Sequence, residues 1–116
     1  MITQMIIEAV ESGPFFTKGY LVGDETKGDA VIVDAPKDSA HLLTKAASHR
    51  NLTIQLIINT HGHWDHIADN AVLQQQTLAP IAIHKLDEPR ILDPKPVFFH
   101  LPFEISPTKA GKYLEA

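Results

Sequence analysis

The sequence predicts an α/β fold, a mixed β-sheet with flanking helices. Three observations predict it. Apolar runs of strand length recur, among them Ala30-Val31-Ile32-Val33 and Thr53-Ile54-Gln55-Leu56-Ile57-Ile58. Segments with helical spacing of apolar residues alternate with them. The densest cluster of chemistry-bearing residues follows one of the runs directly, at a strand-to-helix turn, where open α/β sheets place their ligand sites. At 116 residues the chain is one domain, 1–116.

Met5-Ile6-Ile7-Glu8-Ala9-Val10 reads as the first strand, and Ser12-Gly13-Pro14 breaks it. Residues 15–22 read as the second strand, with Phe15, Tyr20 and Leu21 as packing groups. The polar, glycine-bounded segment 23–29 then predicts a hairpin into Ala30-Val31-Ile32-Val33. That unbroken apolar run implies a strand covered on both faces. Asp34 follows it and by position reads as a cap for the next helix, with Pro36 early in that helix.

Residues 37–50 read as an amphipathic helix with Ala40, Leu43 and Ala47 on one face. His41 and His49 fall elsewhere on it and read as solvated, and Asn51 suits the exit. After the strand 53–58, residues 67–78 read as one helix, with Ile67, Ala71 and Leu78 inward and Gln74-Gln75-Gln76 exposed. Pro80 ends it, and Ile81-Ala82-Ile83 starts a short strand. His84 beyond that strand reads as structural or surface. Strands and histidine loop thus occupy 1–84. From residue 93 to 116 four prolines with little periodicity predict an irregular tail, in which Val97-Phe98-Phe99 should pack and His100 is no ligand.

Asn59-Thr60-His61-Gly62-His63-Trp64-Asp65-His66 carries the chemistry. On an extended backbone His61, His63 and Asp65 share one side, and His66, in the first helical turn, curls back toward them. Neutral imidazole and carboxylate are good donors for Zn2+. Gly62 lets backbone pass close to an ion. Four donors on so short a loop converge poorly on one tetrahedral ion. The better reading pairs His61 with His63 on one cation and Asp65 with His66 on a second, roughly 3.5–4 Å away as in two-metal hydrolytic sites. Asp69 reads as incidental to the donors.

Thr60-His61-Gly62-His63-Trp64-Asp65-His66 resembles the signature of the metallo-β-lactamase superfamily, and Tyr20-Leu21-Val22 with Ala30-Val31-Ile32-Val33-Asp34 resembles its early strands. Ile81-Ala82-Ile83-His84-Lys85-Leu86-Asp87-Glu88 is most similar to the hydroxyacylglutathione hydrolase (glyoxalase-like) branch. The resemblance implies half of an αββα sandwich, the N-terminal half. The second half of that fold supplies a histidine in a Thr-Pro-Gly-His-like turn, a bridging aspartate and a last histidine, and none of these turns occurs here. It also implies one or two Zn2+ ions (or Fe or Mn) at His61, His63, Asp65 and His66. For Asp34 it implies a second reading, a carboxylate orienting a ligand histidine. Asp65 would be catalytic, orienting a metal-bound hydroxide that attacks an ester or thioester carbonyl. The alternative is a metal-binding half-domain that homodimerises through its exposed sheet face to complete the sandwich.

Net charge is −4, which disfavours nucleic acid and anionic lipid as partners. No apolar run reaches membrane-spanning length and the N-terminus lacks a signal pattern, so the expectation is a cytoplasmic protein acting on a small-molecule ester or thioester. With no cysteine, there are no thiolate ligands or disulfides.

Overall fold

The computed structural model describes residues 5–94 and 103–115. Six strands form one mixed sheet in sequence order, β1 Met5–Ser12, β2 Thr17–Asp24, β3 Asp29–Val33, β4 Thr53–Ile58, β5 Ile81–His84 and β6 Ala110–Leu114. The first three pair antiparallel; β3 to β6 run parallel. Parallel neighbours require crossovers, and the helices supply them: α1 Ala40–His49, then α2 Trp64–Ile67 and α3 Asn70–Thr77, then α4 Glu88–Leu92 after a 3-10 turn. The parallel strands therefore deliver their C-terminal ends to one edge, where the histidine loop sits.

Burial alternates along the strands. Leu21, Ile32 and Ile57 are fully buried with Leu43 and Leu73 of the helices, each side chain stabilising by roughly 1.5–3 kcal/mol. The residues between them, Tyr20, Val22, Val31, Val33, Leu56 and Ile58, are only half-buried. Among the described residues, the sheet thus has one helix-covered face and one open apolar face. Among the described residues, the apolar run of β3, read as covered on both sides, meets helices on one side only, with Val31 and Val33 half-buried on the other.

Other expectations shift for local reasons. β2 starts at Thr17, because Phe16 takes a left-handed φ of 52° in the turn, and Phe15 is 58% exposed. The first long helix starts at Ala40, after Asp38 with φ 66°. The helix read over 67–78 is broken at Asp69 (φ −101°, ψ 12°), so α2 and α3 are separate. Leu73 faces the core, while Leu78 adopts φ 60° at the C-cap and is 86% exposed. The tail read as irregular contains β6, whose Ile83↔Tyr113 and His84↔Leu114 pairs extend the sheet. Val97, Phe98, Phe99 and His100 lie outside the described residues.

Candidate metal centre

The loop after β4 is held at both ends before its histidines matter. Asn59 donates from its backbone N–H to Ala82 on β5 at 2.9 Å. Its buried side-chain amide exchanges two hydrogen bonds with Asn70 at the start of α3, at 3.0 and 2.8 Å. Two buried amides that satisfy each other avoid the penalty either would carry alone.

Asp34 is the second anchor. Its backbone N–H donates to Ile58 O at 2.7 Å, and its φ of 66° turns the side chain back over the end of β4. Aspartate tolerates the left-handed region better than most residues, and the conformation is over-determined by what the carboxylate accepts. Thr60 donates its N–H to Oδ1 and its hydroxyl to Oδ2, both at 2.8 Å, and His66 Nδ1 lies 2.8 Å from Oδ2. Of the two readings of Asp34, the structure bears out the orienting carboxylate. The cap on α1 comes instead from Asp69, whose Oδ2 accepts from Ala40 N at 2.9 Å. Nothing in the local sequence signalled that role, since the two residues are far apart in the chain.

This network sets the imidazole tautomers. An ionised carboxylate only accepts, so His66 Nδ1 is the donor to Asp34, and its Nε2 faces Asp65 Oδ2 at 3.5 Å. The Thr60 hydroxyl, having given its proton to Asp34, can only accept from His61 Nδ1, 2.8 Å away. In the neutral imidazole that its lowered pKa favours, His61 Nε2 is then the lone-pair nitrogen. Imidazoles oriented through their far nitrogen by a carboxylate or hydroxyl are the arrangement ligand histidines use.

The donors gather. The His61 ring centroid lies 4.5 Å from that of His63 and 4.1 Å from that of His66. Asp65 Oδ2 accepts from the Thr17 hydroxyl at 2.8 Å and lies 3.5 Å from His66 Nε2. Asp65 reaches this space from the first turn of α2 rather than from extended backbone. His61 is held below its ordinary pKa of 6.5, by burial first and then by the neighbouring His66 and His63; the carboxylates of Asp34 and Asp65 pull the other way. A neutral imidazole is the form that binds a cation. Among the described residues no three His, Asp or Glu side chains are placed to hold one ion together. The donor chemistry suits a divalent cation, but the described side chains do not form a complete coordination sphere.

Gly62 has a different reason from the one the sequence suggested. A Cβ there would lie 2.6 Å from Arg90 Cβ and 2.7 Å from Arg90 Cδ, so its missing side chain makes room for α4. Thr17 and Thr60 were not singled out as part of the site, and neither has a sequence signal apart from Thr60's place beside His61. His84 is not brought to the cluster; its Nδ1 accepts from Leu86 N at 3.1 Å. Among the described residues no helix is long and apolar enough to cross a membrane.

Comparison with known proteins agrees with this architecture. The chain is 39% identical over 56 residues to the cytoplasmic hydroxyacylglutathione hydrolase of Arabidopsis thaliana, covering 48% of this chain and 21% of that enzyme. It is 42% identical over 57 residues to the hydroxyacylglutathione hydrolase of Bartonella henselae, covering 49% and 22%. The crystal structure of the B3 metallo-beta-lactamase BLEG-1 superposes with a TM-score of 0.82 over 95% of this chain and 53% of that one, at 24% identity, a likeness of fold. ETHE1 from Myxococcus xanthus superposes with a TM-score of 0.61 at 28% identity, over 67% and 35%. The chain therefore spans about a fifth of these curated relatives and about half of BLEG-1. The metallo-beta-lactamase superfamily pattern matches residues 12–110, and the chain belongs to that superfamily.

Proposed function

We propose that this chain is the cation-binding part of a hydrolase for small-molecule esters or thioesters, thioesters first, working in the cytoplasm without nucleic acid or membrane as partner. The observation that carries the reading is the Asp34 hub, which orients His66 directly and His61 through Thr60. Such construction is superfluous for solvated surface histidines. The hydroxyacylglutathione hydrolases among its relatives support the thioester preference.

His61 and His63 would hold one Zn2+ (or Fe or Mn), and Asp65 and His66 a second. A divalent cation, when bound, lowers the pKa of a coordinated water and polarises a carbonyl. The protein's own part is positional. Asp34 and Thr60 fix two rings, and the Thr17 hydroxyl holds Asp65 through Oδ2, from where this carboxylate would orient a water. His63, exposed on the loop, completes the first pair. His63→Ala should abolish hydrolysis of a model thioester by the zinc-loaded chain, and unchanged turnover would refute the role given to this loop.

A second reading rests on the open face of the sheet, where Ile7 is 72% and Met5 59% exposed. A second copy packed there would make a homodimer that imitates the sandwich, with the metal site binding without catalysis. Light scattering of the dilute chain decides it, since a stable monomer excludes this arrangement.

A further inference from the structure

Asp69 is a buried carboxylate, 4% exposed, that takes no part in the proposed cation pairs. Among the described residues no Lys, Arg or His side chain pairs with it. What it meets is the first N–H of α1: Oδ2 accepts from Ala40 N at 2.9 Å. That end of α1 has a local candidate for the role, Ser39 at the N-cap, and serine is a preferred cap. Ser39 instead takes φ −85° and ψ −21°, makes no cap bond, and keeps its hydroxyl buried without a partner among the described residues. Burying a carboxylate is costly unless its bonds are met. A cap taken from Asp69, 29 positions along the chain, therefore calls for a reason outside α1.

The reason lies in what else joins the same two segments. Ala35 N donates to His66 O at 2.8 Å, and Asp69 N donates to Ala35 O at 2.9 Å. With the Asp69 side chain on Ala40, three bonds clamp residues 35–40 against residues 66–69. Each segment begins at a member of the site. Asp34, with its φ of 66°, leads the chain into the first, and His66 opens the second. Their side chains meet at 2.8 Å, His66 Nδ1 on Asp34 Oδ2. We infer that Asp69 is a positioning residue: its carboxylate ties α1 to the break between α2 and α3, and so holds Asp34 where it orients His66. A serine cap would finish α1 without joining it to the donor loop. The inference rests on the cation-binding reading for the use of His66, and on geometry alone for the clamp.

The test uses the full chain and two readouts. One is the His66 Nδ1–H proton in the metal-free chain, seen by NMR while its bond to Asp34 protects it from exchange. The other is Co2+ affinity, read by absorption. Asp69→Ala should lose the proton signal and bind Co2+ about tenfold more weakly, the lower end of what losing a ligand's orienting partner costs. Asp69→Asn keeps an oxygen acceptor and caps as well as aspartate, so it should keep the signal and stay within about twofold in affinity. Ala47→Gly is the control, because it destabilises α1 at its far end and should move neither readout. Both readouts unchanged in Asp69→Ala overturn the inference. So does an equal loss in Ala47→Gly, which would make general stability the cause. If Asp69→Ala does not fold, Asp69→Ser decides with the same expectations, since its hydroxyl ends one bond short of the carboxylate oxygen. A proton signal lost in Asp69→Ala, with no Co2+ bound by the unaltered chain, would uphold the clamp and count against the cation reading.

Discussion

β4 and β5 are parallel neighbours that end at the same edge of the sheet, β4 followed by the histidine-bearing turn and β5 closing on His84. What surrounds the two ends differs. Beyond β4 the backbone is tied by the buried Asn59–Asn70 amide pair, and the rings of His61 and His66 are held through Thr60 and Asp34. At the end of β5, His84 accepts a local bond from the Leu86 N–H, and Leu86 is 83% exposed. A histidine at a strand end becomes a candidate ligand when its far nitrogen is fixed by a buried acceptor. Position alone does not do it.

The sharpest way to break this contrast is Asp34→Ala. It removes the acceptor of His66 and of Thr60 together. Cation affinity, read by Co2+ absorption, should fall by about 10–100-fold, the usual cost of losing a ligand's orienting partner. Urea unfolding should show a loss on the order of 2–3 kcal/mol, because the donors it served lose a charged acceptor.

Asn70→Ala comes next. It strands the Asn59 amide in the core, at about 1–3 kcal/mol of stability by urea unfolding. The Asn59→Leu/Asn70→Leu pair should cost less than the sum of the single changes, because neither side then keeps an unmet polar group. Additive costs would mean that the amides do not act as a pair.

Acidification gives a smaller effect. Folded His61 takes up its proton at a lower pH than the unfolded chain, whose value is near 6.5. Above that pH both states are neutral and the residue contributes nothing to the pH dependence. Below it the unfolded chain binds more protons, so stability falls as pH drops from 6.5 toward the folded value. His61→Gln should flatten that part of a melting-temperature profile. An identical slope would assign it to another group.

The smallest expected effect lies at the other strand end. His84→Ala should leave Co2+ affinity unchanged and stability within about 0.5 kcal/mol. A measurable loss of affinity would bring His84 into the site and end the contrast.

Much of this was legible from residues alone. β4 was read over its true span, 53–58, because an unbroken apolar run met a polar cluster. The α1 face of Ala40, Leu43 and Ala47 was likewise plain from spacing. The candidate donors stood out because metal ligands are of few residue types. Their supports were not. Thr17, Thr60, Asn59 and Asn70 are ordinary polar residues whose value comes from contacts across the fold. β6 was missed because Ala110-Gly111-Lys112-Tyr113-Leu114 has weak strand propensity and is organised by pairing with β5. The break at Asp69 was missed for a related reason: its carboxylate serves the N-terminus of a helix distant in sequence.

The most direct measurement is a zinc-soaked crystal with anomalous scattering at the zinc edge. The account expects ions roughly 2.0–2.1 Å from imidazole nitrogens, one on His61 and His63 and a second on Asp65 and His66, with His66 Nδ1 still on Asp34. Ordered zinc bound only elsewhere on the chain, or no zinc at this loop with the three rings turned apart, would contradict it.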